Sequence, residues 1–69
     1  MSQTIEYSEI AMLLVQGSTP LRDAASTLNA YRKGPKGLAP HLIQWRVDSR
    51  PLNDGDQELL DKALQMINS

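Results

Sequence analysis

The sequence predicts an all-α fold, a small domain of four helices with the third one short. Three observations lead there. Apolar residues recur at three- and four-residue spacings in four separate stretches, and glycines and prolines fall between those stretches. No segment alternates apolar and polar residues as a half-buried strand would.

The first helix is read from "EYSEIAMLLVQG". Tyr7, Ile10, Ala11 and Leu14 share one helical face, and Gly17 supplies a stop. In "STPLRDAASTLNAYRKG", Ser18 or Thr19 can cap a second helix and Pro20 suits its first turn. Leu21, Ala24, Ala25, Leu28 and Tyr31 form its apolar stripe, and the paired alanines allow a neighbouring helix to approach closely.

"KGPKG", residues 33 to 37, reads as a loop that two glycines, a proline and two lysines keep in solvent. "LAPHLIQWRV" then forms the short third helix, with Pro40 in its first turn and Leu38, Leu42, Ile43 and Trp45 as apolar positions. Trp45 is expected in the core, with Leu42 three residues earlier, in preference to serving as an exposed stacking platform. His41 and Gln44 then fall on the outer side. "DSRPLN" interrupts, because Pro51 disfavours helical geometry at Arg50. "DGDQELLDKALQMINS" is the last helix, with acids in its opening turn and Leu59, Leu60, Ala63, Leu64 and Ile67 on one face.

Residues 1–69 are expected to form one domain. So short a chain buries only about 60% of the surface its unfolded form exposes, and it has no cysteine to reinforce its core. A homodimer is the common remedy for a fold of this size. The opening "MSQTIEYSEI" has no basic, apolar leader pattern, and "IAMLLV" is too short to span a bilayer. A cytoplasmic location without membrane contact is the expectation.

The formal charge of −1 hides an uneven distribution. Arg32, Lys33, Lys36, Arg46 and Arg50 stand against Asp48 alone in residues 32 to 50, a net +4 that leaves −5 elsewhere. Such a division fits a basic contact surface on an acidic body.

Chemistry other than binding finds little support. There is one histidine, no cysteine, and no serine in a recognisable nucleophile setting, so an enzyme is not expected. Asp54, Asp56 and Glu58 invite a calcium-loop reading. Leu59 then falls where that loop needs glycine and Gln65 where it needs glutamate, so helix capping is the expected role. His41 has no second ligand at helical spacing, and no metal or cofactor is expected. "KGPKG" lacks a phosphate-loop pattern, but its lysines could still meet a nucleic-acid phosphate.

Two stretches carry a family resemblance. "LRDAASTLNA", residues 21 to 30, resembles the first half of a helix-turn-helix, with paired small residues followed by a leucine and a turn. "IQWRVDSRPLNDGDQELLDKAL" is similar to the segment beyond the recognition helix in regulators of the phage repressor and Cro-like group: Trp45, then Arg50 and Pro51, then a closing helix with Leu59 and Leu60. The resemblance implies a helix-turn-helix-like fold that binds double-stranded DNA and regulates transcription. Contacts would come from the third helix and its approach, through Lys36, His41, Gln44 and Arg46. Arg32, Lys33 and Arg50 would meet phosphates. The other reading of the same residues is a small protein-binding module, a phage-type inhibitor or adaptor that sets this basic face against a host protein.

Overall fold

A computed structural model of the chain describes residues 4–48 and 50–68. Its elements are β1 (Thr4–Glu6), α1 (Tyr7–Leu14), α2 (Thr19–Tyr31), β2 (Lys33–Pro35), α3 (Leu38–Val47) and α4 (Asp54–Asn68). The expected break after the third helix includes Ser49, which lies outside the described residues. Among the described residues there are four helices, and none is long and apolar enough to cross a membrane.

The expected faces of the first two helices are the buried ones. Tyr7, Ile10, Ala11 and Leu14 of α1 meet Leu21, Ala24, Ala25 and Leu28 of α2 in one apolar cluster. Ala39, Leu42, Ile43 and Val47 of α3 and Ala63 and Ile67 of α4 complete it, with Leu59, Leu60 and Leu64 half-buried at its edge. Tyr31, expected to end the stripe of α2, is instead exposed. It stands in the helix's last turn, beyond the buried Leu28.

The expectation of no strand is corrected. Lys33–Pro35, read as a solvent loop, pairs antiparallel with Thr4–Glu6 in the register Thr4 to Pro35, Ile5 to Gly34 and Glu6 to Lys33. Three residues are too few to show a period of two, and the pairing joins segments that are far apart in sequence. Neither strand therefore leaves a local signal.

Tyr7 secures this two-stranded clip. Its amide donates to the Arg32 carbonyl at 2.7 Å, which satisfies the first amide of α1. Its hydroxyl donates to the Pro35 carbonyl at 2.9 Å, so one residue holds both ends of the segment from 32 to 35. Gly34 leaves room for the ring, since a Cβ there would stand 3.0 Å from the Tyr7 hydroxyl. Burial raises the pKa of this phenol above its ordinary value.

The other end of α2 is held by α4. Ser18, the residue before the helix, donates through its amide (2.9 Å) and its hydroxyl to the carboxylate of Asp56, which is buried. The amide of Asp56 in turn donates to the side-chain oxygen of Asn53 at 2.7 Å. That is an N-cap for α4. Gly17 permits the close approach, because a Cβ there would lie 2.6 Å from Leu21 Cδ1 and 3.0 Å from Asp56 Oδ1.

Candidate nucleic-acid interface

The outer surface of α3 is fixed by which residues it buries. Ala39, Leu42, Ile43 and Val47 follow a spacing of three, four and eight from the first, so they define one inward stripe. His41 and Gln44 fall outside it and are exposed, as expected. So does Trp45, which is 63% exposed, and its expected place in the core is corrected. Successive helical residues are about 100° apart, and Trp45 lies between Leu42 and the outer side. The stripe that includes Ala39 and Val47 was the signal that could have placed it.

Arg46 sits beside the ring. Its guanidinium carbon is 4.8 Å from the Trp45 ring centroid, a cation–π distance. Its Nε donates to Thr27 Oγ1 of α2 at 2.5 Å, and the Thr27 hydroxyl donates onward to the Asp23 carbonyl at 3.1 Å. Thr27 is thus a buried hydroxyl that gives one hydrogen bond and receives one. One turn along α2, Asp23 forms an ion pair with Arg50. Going from Arg46 to Arg50 means going back from Thr27 to Asp23, so the chain after β2 returns along α2.

The remaining basic residues stand at the far end of α2. Arg32 follows the helix with φ 67° and ψ −55° and is exposed. A positive φ is uncommon for a residue with a Cβ. The conformation ends α2 and turns the Arg32 carbonyl toward the Tyr7 amide. Asn29, where the helix-turn-helix resemblance places the turn, is still within α2. Lys33 is exposed on β2 opposite Glu6. Lys36 is half-buried in the turn before α3, and its carbonyl accepts from the Ala39 amide at 3.3 Å. Glu6, Ser8, Asn29 and Arg32 line a shallow depression at this corner.

The expected contact residues therefore separate into three groups. His41 and Gln44 project from the outer side of α3, Arg32, Lys33 and Lys36 gather around β2, and Arg46 and Arg50 lie along α2 with protein partners of their own. Asp23 offsets the charge of Arg50, which no local pattern of sequence could indicate. No family model matches the chain, and neither the curated proteins nor the solved structures include a match to it.

Proposed function

We propose that the chain is a small DNA-binding regulator of helix-turn-helix type, acting in the cytoplasm as a homodimer on double-stranded DNA. The observation that carries this reading is the division of α3, whose inner side packs into the core while its outer side and its approach carry polar and basic groups. His41 and Gln44 would read base edges, while Lys36 at the approach to α3 and Arg46, held to Thr27 of α2, would add contacts at either end of the helix. Arg32, Lys33 and Arg50 would meet phosphates and set the register. Arg46 and Arg50 are anchored one helical turn apart on α2, at Thr27 and Asp23, and a phosphate at Arg50 would compete with the Asp23 carboxylate.

Binding to mixed-sequence duplex DNA at two salt concentrations tests this reading. Affinity should fall steeply with salt, and Lys33→Ala should reduce the slope of log K against log salt by roughly 0.9 for one lost phosphate contact. Absence of binding at low salt would sink it.

One observation favours the protein-binding reading. Tryptophan and arginine are enriched among the residues that dominate protein interfaces, and Trp45 with Arg46 forms such a pair on the surface. Recovery of one stoichiometric host protein, released by Trp45→Ala, would support it.

A further inference from the structure

We propose that the surface around Trp45 also takes single-stranded nucleic acid, with the indole stacking on an unpaired base while Arg46 beside it, and Arg32 and Lys33 toward the other end of α2, follow the phosphates. This rests on the nucleic-acid reading above and extends it to a second ligand. Bases within a duplex are stacked on their neighbours, whereas an unpaired base has a face free for an aromatic ring.

The core does not use the ring. The core side of α3 is complete with Ala39, Leu42, Ile43 and Val47, and Trp45 remains 63% exposed. Arg46 supports the indole at 4.8 Å, and the bond from its Nε to Thr27 Oγ1 fixes the arginine itself. A side chain already held in place has less rotamer freedom to lose on binding. His41 lies one turn before Trp45 on the outer side, near enough for its imidazole to meet the edge of a stacked base.

Charge selects the occupant. The stretch from 32 to 50 is net positive with the exposed Asp48 counted, and although Asp23 answers Arg50, Arg46 stands beside the ring and Arg32 and Lys33 are exposed. A strand of nucleic acid supplies both complements, phosphates for the cations and a π-face for the indole. Polyglutamate supplies the charge alone.

Trp45 is the one tryptophan of the chain, so its emission reports on this site directly. The full chain is titrated with a deoxythymidine oligomer and a uridine oligomer, each of about 12 nucleotides, with a duplex of matched length, and with polyglutamate. Both single strands should quench the emission, and added salt should reverse it. A response to one of the two alone supports the proposal. Read by the anisotropy of dye-labelled oligomers, because both variants lack the tryptophan, Trp45→Ala should weaken single-strand binding roughly 5- to 150-fold, and Trp45→Phe should retain most of it. Both variants should keep the far-UV spectrum of the parent and unfold cooperatively within a few degrees of it, which separates binding from folding. The proposal is overturned if single strands leave the emission unchanged, if Trp45→Ala binds them as the parent does, or if polyglutamate alone quenches. Duplex binding that persists while both single strands fail overturns this inference only. Failure of every nucleic acid at low salt overturns the proposed function with it.

Discussion

The amide and hydroxyl of Ser18 both donate to the carboxylate of Asp56, a residue 38 positions further on. An anion at the start of α2 is favoured by the helix dipole as well as by these two bonds. Asp56→Ala should therefore cost about 1.5 to 3 kcal/mol, the range for hydrogen bonds to a charged group. Urea unfolding with an unchanged slope and a lower midpoint is the expected result. A midpoint equal to that of the parent would show that water replaces the carboxylate without loss.

Gly17→Ala tests the same junction from the other side. The added methyl would stand 2.6 Å from Leu21 Cδ1, and Leu21 is fully buried, so it has little room to yield. A loss of roughly 1 to 3 kcal/mol is expected from overpacking. The double variant with Asp56→Ala should lose less than the sum of the two, because the aspartate oxygen is one of the atoms the methyl meets.

Tyr7→Phe keeps the buried ring and removes only the bond to the Pro35 carbonyl. A cost of about 0.5 to 1.5 kcal/mol is expected for that bond. The parent should also show an alkaline loss of stability. The folded pKa of Tyr7 is raised by burial, so its contribution is complete below the unfolded value of about 10 and is lost as pH rises through the folded value. Denaturation midpoints compared between pH 8 and pH 11 should fall less in Tyr7→Phe than in the parent.

At Arg32 stability and binding should move in opposite directions. A positive φ in so sparsely populated a region costs a residue with a Cβ roughly 1 to 3 kcal/mol, and glycine relieves it at about 0.5 to 1 kcal/mol of added chain entropy. Arg32→Gly is thus expected to raise the thermal midpoint by a few degrees while lowering affinity for DNA. Arg32→Ala, which keeps the strain and loses the charge, should lower affinity without the gain in stability.

Trp45→Ala should cost about 0.5 to 1 kcal/mol, the scale of an exposed cation–π contact. The sequence points toward the core instead, where truncation would cost about 3 to 5 kcal/mol. The reason lies in the length of α3: over ten residues its apolar side chains point in several directions, and contact with α2 decides which of them are buried. In α1 and α2 the three- and four-residue spacing admits one face only, so Ile10, Leu14, Leu21 and Leu28 were legible. Lys33–Pro35 was not, because a strand so short is defined by its distant partner. Among the contact residues, the outward placing of His41 and Gln44 could be read from helical geometry. The attachment of Arg46 to Thr27 and of Arg50 to Asp23 could not, since each depends on how two helices align.

The clip between β1 and β2 bears on the time course of folding. It joins Thr4 to Pro35 and so closes a circuit around α1 and α2, whereas the helices themselves rest on contacts between near neighbours in the chain. Contacts that close long loops carry an entropic cost before they are rewarded, and short-range helical structure tends to precede them. Tyr7→Phe and Gly34→Ala should therefore speed unfolding and leave the refolding rate nearly unchanged, the signature of a late contact. During synthesis, β1 leaves the ribosome well before its partner strand exists, so the Tyr7 hydroxyl has no Pro35 carbonyl to bind until both helices have emerged.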